Sequence, residues 1–286
     1  MRMSTVVDGR ALAAKLLNEL QDQIGNLTAQ GVVPTLRIVQ VGDDPASTIY
    51  IRNKKRKGAS LGIDVQVVKL PETVTQTALL HQIETLNVNP EVDAILVQMP
   101  LPVQIDAAAV VAAIDPAKDA DGFTPANFGR LWSGDEGPVP ATPAGVMAIL
   151  QQYHVPLRGQ HAVVIGRSRI VGRPMAAMLL QADATVTVAH SHTRNLAELT
   201  RTADIIVVAV GIPHFLTADM VKPGAAIIDV GINRTAEGKV TGDVDFAAVE
   251  PLAGVITPVP RGVGPMTVAE LMIQTVALTK ARVAHD

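Results

Sequence analysis

Cysteine is absent from the 286 residues. That excludes disulfides, thiolate metal sites and cysteine nucleophiles, and it suits a reducing compartment. Aromatic residues make up only 2%, too few to build the stacking platforms of a single-strand nucleic-acid binder. Basic charge is not in excess either. The formal net charge is -3, so no global positive field gathers nucleic acid. Long apolar runs are missing as well. The longest, Ala107 to Ile114, is far short of the roughly 20 residues that a membrane-spanning helix needs. The opening residues MRMSTVVDGR lack the apolar stretch of a signal peptide. The expectation is a soluble cytoplasmic protein that engages neither nucleic acid nor membrane. Internal repeats and low-complexity segments are not seen, and there is no GxxxxGK[ST] phosphate loop.

What is present is apolar and regularly punctuated. Apolar residues are 48% and charged residues 18%, a composition that buries two cores rather than staying disordered. Thr35–Val41, Val65–Leu70 and Ala94–Met99 read as buried strands. Helices over about Ala46–Leu61 and Gln76–Leu86 separate them, the latter with Leu79, Leu80, Ile83 and Leu86 on one side. This βαβαβ order implies a parallel sheet covered by helices, an α/β fold. Glycine and proline in SGDEGPVPATP mark a crossing between domains. Thr142 then Pro143 reads as a helix cap followed by a first-turn proline, with the helix ending near Tyr153. Strands resume at His161–Ile165, Thr185–Ala189, Ile205–Val210 and Ala226–Val230, and Thr267–Arg282 reads as a closing amphipathic helix.

After the strand His161–Ile165 comes GRSRIVGRP. Gly166 permits a tight turn, Gly172 a close backbone approach, and Pro174 suits a helix start. A strand, glycine turn and helix start present backbone N–H groups to a phosphate, although an ordinary β–α loop would read the same way. The next strand ends in His190–Asn195 with no acid to hold a ribose 2′-hydroxyl. Ser191 can donate a hydrogen bond there, and Arg167 and Arg169 lie in the first loop. That combination favours NADP over NAD. His190 and His192 lie on opposite sides of a strand end with no further ligand close by, so no metal site is expected.

The stretch YIRNKKRK, Tyr50 to Lys57, packs five basic side chains into one helix. At about 3.6 residues per turn, Tyr50, Lys54, Lys57 and Leu61 share an inward stripe while Arg52 and Arg56 face water. A lysine among apolar neighbours loses hydration and its pKa falls, leaving an amine able to take a proton. The same pattern also fits a lysine whose stem covers Leu61 with its ammonium in water. Gln98, near the carboxyl end of the third strand, lies where ligands bind in open α/β sheets. Asp119 and Asp121 follow in KDADG, where turn chemistry alone would also place them.

These stretches occur in a fixed order: VGDDPAS followed by Tyr50 and Lys54, LVQMPLP, DPAKDADGF, VVIGRSRIVGRPM, VKPGAAIIDVGIN, GDVDF and ITPVP…GVGPMT. Across almost the whole chain the sequence resembles the bifunctional methylenetetrahydrofolate dehydrogenase/methenyltetrahydrofolate cyclohydrolase family. The resemblance implies two α/β domains with a cleft between them. Residues 1–142 plus 267–286 would bind folate, and 143–266 would be a Rossmann-like NADP-binding domain. It implies Lys54 as the central catalytic residue, Gln98 beside it tuning its protonation, Tyr50 stacked on the aminobenzoyl ring and Asp121 holding the pterin. On the coenzyme side it implies Gly166, Arg167 and Ser168, then Ser191 near the 2′-phosphate and Ile232 near the nicotinamide. It also implies a homodimer. The reaction would oxidise 5,10-methylenetetrahydrofolate to the 5,10-methenyl cation and then hydrolyse that to 10-formyltetrahydrofolate.

Two departures stand out. The family's late loop reads Pro-Gly-Gly-Val-Gly-Pro, whereas here Arg261 replaces the first glycine. If that position has a positive φ, arginine costs on the order of 1 kcal/mol or more. Ala141 stands where many relatives carry cysteine, and the implied chemistry needs no thiol there. A shikimate-dehydrogenase-like oxidoreductase would share the fold without the Tyr50, Lys54, Gln98 and Asp121 set. A non-enzymatic coenzyme-binding module would bind NADP without turnover.

Overall fold

The computed structural model describes residues 4–235 and 238–285. In chain order the first elements are β1 (Thr5–Val6), α1 (Gly9–Ala29), β2 (Thr35–Val41), α2 (Pro45–Leu61), β3 (Asp64–Leu70), α3 (Gln76–Val88), β4 (Ala94–Val97), α4 (Ala107–Ala112) and α5 (Pro125–Ser133). There follow α6 (Ala141–Gln152), β5 (His161–Ile165), α7 (Gly172–Gln181), β6 (Thr185–Ala189), α8 (Leu196–Thr200), β7 (Ile205–Val208) and β8 (Ala226–Asp229). The chain closes with β9 (Asn233–Arg234), β10 (Val240–Thr241), α9 (Phe246–Val249), β11 (Val255–Ile256) and α10 (Val263–His285). They form two compact units: the chain up to Lys15 with Pro140–Glu270, and Leu16–Val139 with the chain from Leu271.

The unit of Leu16–Val139 is built on a three-stranded parallel sheet in the order β3-β2-β4. Strand β4 is aliphatic and wholly buried and the central strand β2 nearly so, whereas the edge strand β3 carries Asp64, Gln66 and Lys69 and is only partly covered. Leu36, Ile38 and Val39 of β2 are fully buried. Leu79, Ile83 and Leu86, at helical spacing on α3, are the residues of that helix that disappear into the core with Val39, Val41, Ile95 and Val97. Truncating one of these to alanine costs about 2–5 kcal/mol. Helix α2 starts where Asp44 accepts the Ser47 N–H at 2.7 Å and Pro45 opens the first turn, a cap worth about 1 kcal/mol. It stops at Gly62, whose φ of 85° suits glycine. At Gly58 the helix touches β3: a Cβ there would lie 2.3 Å from a Val65 methyl. Strand β4 ends at Val97, earlier than the expected Met99. The Gln98 N–H still reaches the Val39 carbonyl at 2.9 Å, but Pro100 has no N–H with which to continue the ladder.

The other unit carries a six-stranded, wholly parallel sheet in the order β1-β11-β8-β7-β5-β6. Every residue of β7 and β8 is buried. The two residues of β1 pair in this sheet, Thr5 with Val255 and Val6 with Ile256, although the sequence division counts them with the first 142 residues. Strands β7 and β8 end at Val208 and Asp229, short of the expected Val210 and Val230. Beyond β7 the Val210 and Gly211 amides turn away to the Asp243 carboxylate. Thr142 is not the cap of α6. That helix begins at Ala141 after Pro140, and the Thr142 hydroxyl instead pairs with the Thr267 hydroxyl at 3.0 Å. Helix α10 likewise starts at Val263, ahead of the expected Thr267. Among the described residues no helix is long and apolar enough to cross a membrane.

Candidate active site

The buried face of α2 runs through Ser47, Ile51, Gly58 and Leu61, with Lys54 half-buried among them. Lys54 thus faces inward as expected, but the stripe is not the one expected. Tyr50 is 44% exposed and Lys57 is exposed. The contact of Gly58 with Val65 and of Ile51 with the core sets the helix phase, so Lys54 shares its face with them rather than with Tyr50 and Lys57. Arg52 and Arg56 face solvent, as the spacing suggested.

Lys54 Nζ donates to Gln98 Oε1 at 3.1 Å, and Gln98 Nε2 donates to the Met99 carbonyl at 2.8 Å. The amide is therefore locked with its oxygen toward the lysine. Burial pulls the Lys54 pKa below the ordinary lysine range, and the charge of Asp121 pulls it partly back. Asp121 responds in the opposite sense. Burial pushes its carboxyl up to about 6, Lys54 opposes that rise, and Asp119 adds to it. Tyr50 lies one turn before Lys54 with its side chain largely free. Lys54, Gln98 and Asp121 thus form one cluster in a single unit.

The turn that carries Asp121 is held from several sides. Asp119 is buried and bridges to Ile95 beside β4. Its Oδ2 accepts the Thr124 N–H at 2.8 Å and the Asn127 side-chain amide at 3.0 Å. Its Oδ1 is buried with no hydrogen-bond partner among the described residues. Gly122 has a φ of 64°, and a Cβ there would lie 2.7 Å from Val139 backbone. Gln274, on α10, donates to the Ala120 and Val139 carbonyls and accepts the Val139 N–H. Nothing in its local sequence signals this role, because the partners lie more than a hundred positions away.

The coenzyme-type residues gather at the carboxyl edge of the six-stranded sheet. Gly166 has a φ of 123°, and a Cβ there would lie 2.4 Å from the Ala209 carbonyl oxygen. At Gly172, the first residue of α7, a Cβ would lie 2.1 Å from the Gly166 carbonyl oxygen. Both positions therefore demand glycine, which lets this loop fold back tightly on itself. Ser168 braces the entry to α7, its hydroxyl accepting the Val171 and Gly172 N–H groups at 3.1 and 3.3 Å. Arg167 and Arg169 are exposed beside it, and Ser191 is exposed just past β6. Exposed cations with no acid from His190 to Asn195 suit a phosphorylated ribose. Ile232 is 53% exposed in the turn after β8. A cavity of about 190 Å³ opens there, with Asp229, Ile232, Pro258, Arg261 and Pro265 in its wall. Arg261 does have the left-handed backbone, with φ 85°. Among the described residues no three His, Asp or Glu side chains cluster as metal ligands.

Two family models match. Residues 7–121 fit the catalytic domain of tetrahydrofolate dehydrogenase/cyclohydrolase, and residues 140–283 fit the NAD(P)-binding domain of the same family. The bifunctional protein FolD of Lacticaseibacillus paracasei is 54% identical over 280 residues, 98% of this chain and 99% of that protein. The crystal structure of the bifunctional FolD enzyme of Campylobacter jejuni superposes with a TM-score of 0.96 at 48% identity, covering 98% of this chain and 99% of the other. The Trypanosoma brucei FolD, solved with NADP cofactor and inhibitor, gives a TM-score of 0.94 at 38% identity over 99% of both chains. A shikimate dehydrogenase solved with NADP+, at 12% identity and a TM-score of 0.51, shares the fold alone. With both halves matched in order and over nearly full length, the chain belongs to the tetrahydrofolate dehydrogenase/cyclohydrolase family.

Proposed function

We infer that this chain oxidises 5,10-methylenetetrahydrofolate to the 5,10-methenyl cation with NADP and hydrolyses that cation to 10-formyltetrahydrofolate. NADP, when bound, supplies the hydride acceptor for the first step. The protein's task in that step is alignment more than acid–base chemistry. Gly166 and Gly172 let the backbone close on the coenzyme phosphates, with Arg167, Ser168 and Ser191 as the polar contacts. Ser191 and the exposed arginines take the 2′-phosphate end, and Ile232 offers an apolar surface to the nicotinamide.

The second step needs a proton taken from water and one delivered to a ring nitrogen. The observation that carries this reading is the 3.1 Å contact between a half-buried Lys54 and Gln98. A lysine of lowered pKa is more readily an amine, able to take a proton from the water that adds to the methenyl carbon and pass it to the ring nitrogen whose bond to that carbon breaks, the second water proton leaving to solvent. Gln98, fixed by the Met99 carbonyl, holds that nitrogen in place. Asp121, next to the lysine in charge and accepting no hydrogen bond among the described residues, is free to hold the pterin. Tyr50, half exposed one turn away, can lie against the aminobenzoyl ring.

The same proposal assigns folate binding to residues 1–142 with 267–286 and coenzyme binding to 143–266. A homodimer and a cytoplasmic location belong to the same proposal; molar mass in solution and cell fractionation test them. The deciding assay supplies methylenetetrahydrofolate with each oxidised coenzyme and follows both the reduced coenzyme and the methenyl intermediate. NADP-dependent formation of both is the expected result. Tight NADP binding without turnover would show a binding module instead.

A further inference from the structure

The sequence stretches IIDVGIN and GDVDF each contribute one buried acid, Asp229 and Asp243. Neither has a part in the chemistry described above, and neither carboxylate has an oxygen to spare. Asp229 Oδ1 accepts the Gly231 and Asp243 N–H groups, both at 2.9 Å, and its Oδ2 accepts the Val244 N–H at 2.9 Å. Asp243 Oδ2 accepts the Val210 and Gly211 N–H groups at 2.7 and 2.9 Å. Its Oδ1 accepts the side-chain amide of Asn233 at 2.8 Å. Two glycines make room for this. A Cβ on Gly231 would lie 2.2 Å from the Asp243 carboxylate, and one on Gly242 would lie 1.8 Å from Asp229 Oδ2.

The bonds bind together the segments that leave the carboxyl ends of three adjacent strands. Val210 and Gly211 follow β7, Gly231 to Asn233 follow β8, and Thr257 follows β11. The Thr257 hydroxyl accepts the Asp229 N–H at 2.7 Å. The residue enclosed by these bonds is Ile232, whose side chain is left outward. Backbone amides tied to buried carboxylates are costly to release, since an unsatisfied buried charge or donor is penalised more than its hydrogen bond is worth.

We propose that Asp243, with Asn233 and Asp229, is the positioning device for the nicotinamide: it fixes the Ile232 turn against the turn after β7 so that the coenzyme ring is held at one depth and angle. The proposal rests on the reading of Ile232 as a nicotinamide contact. It explains why the turn after β8 is held by acids as well as by the short β9–β10 pairing, and why Asp243 shares its two oxygens between two turns.

The test uses the full-length enzyme and a charge exchange. Asn233→Asp sets two carboxylates against each other where an amide met an acid. Adding Asp243→Asn restores a donor and an acceptor with their places exchanged. The remaining amide oxygen of residue 243 can still accept from Val210 and Gly211. For Asn233→Asp the expected result is a rise in KM for NADP and a fall in dehydrogenase kcat, together about tenfold to a hundredfold. Hydrolysis of supplied methenyltetrahydrofolate, which needs no hydride acceptor, stays at the wild-type rate. The double variant recovers most of the loss. An unchanged dehydrogenase in Asn233→Asp overturns the proposal, as does a parallel loss of both activities or a loss that the exchange leaves unrepaired. If Asn233→Asp does not fold, the double variant decides against wild type: equal KM for NADP supports the proposal and a raised one overturns it. Failure of the underlying reading is distinct, because wild-type enzyme would then show no NADP-dependent oxidation of methylenetetrahydrofolate.

Discussion

Each unit of this protein holds a pair of aspartates near its parallel sheet, and the two pairs differ in how far their oxygens are satisfied. Asp229 and Asp243 receive six hydrogen bonds between them, five from backbone amides and one from Asn233. Asp119 has one oxygen buried without a partner, and Asp121 has a carboxyl pushed up to about 6 beside a lysine whose own pKa is lowered. Acids saturated by the chain are committed to shape. Acids with an oxygen left open keep a capacity for a ligand or a proton, at a cost in stability. Asp229 shows that a raised pKa alone does not separate the two kinds. Its carboxyl is also pushed to about 6 by burial, against three backbone hydrogen bonds that pull it down. What separates them is whether the oxygens are already spoken for.

The largest test of that distinction is Lys54→Gln. Removing the proposed base lowers methenyl hydrolysis by about a hundredfold to ten-thousandfold, read from the decay of the methenyl chromophore. The dehydrogenase step, which relies on alignment, falls less. Full cyclohydrolase turnover in this variant would remove Lys54 from the mechanism.

Asp121→Asn is expected to be milder, about tenfold to a hundredfold in kcat/KM. It also has a signature in pH. An ionised Asp121 raises the Lys54 pKa, so removing the charge lets that pKa fall further. The rising limb of the cyclohydrolase profile then moves to lower pH. A limb that stays put would mean the two groups are not coupled.

Glu270, like Asp121, has no hydrogen-bond donor among the described residues, and burial alone pushes its carboxyl up to about 7. Its folded pKa is above the unfolded one. The protein therefore keeps the full benefit of a neutral Glu270 below the unfolded value of 4.5 and loses it as pH rises to about 7. Glu270→Gln should raise stability at pH 8 by about 1–2 kcal/mol, discounted for partial exposure, and leave it nearly unchanged in acid. Thermal or urea unfolding at both pH values checks this. An equal effect at the two would assign the gain to packing.

The smallest effect belongs to Arg261. With φ at 85°, Arg261→Gly relieves about 1 kcal/mol of backbone strain. Folate affinity is expected to hold or improve. A large loss would show that the guanidinium binds something worth the strain.

Much of the fold was open to reading along the chain. Helix α3 follows from Leu79, Ile83 and Leu86 at helical spacing, and β5 and β6 carry the expected bounds, because aliphatic runs between glycine and proline turns leave few alternatives. Lys54 was placed facing inward by spacing alone, and Gln98 by its position at a strand end. Local spacing could not give the phase of α2. The stripe with Tyr50 and Lys57 and the stripe with Ile51 and Gly58 differ by a fraction of a turn. Only the fit of Gly58 against Val65 chooses between them.

Sequence by itself therefore determined the alternation of strands and helices, the glycines that only tight turns tolerate, and the residue types of the Lys54, Gln98 and Asp121 cluster. These depend on a few neighbours, and a window of ten residues contains the physics. Tertiary structure alone decided which acids are saturated and which are left open, that Thr5 and Val6 extend a sheet beside Val255 and Ile256, and that Gln274 braces the Asp121 turn. Such outcomes rest on donors and acceptors far apart in the chain. A carboxylate's fate is set by which N–H groups arrive beside it, and only folding brings them there.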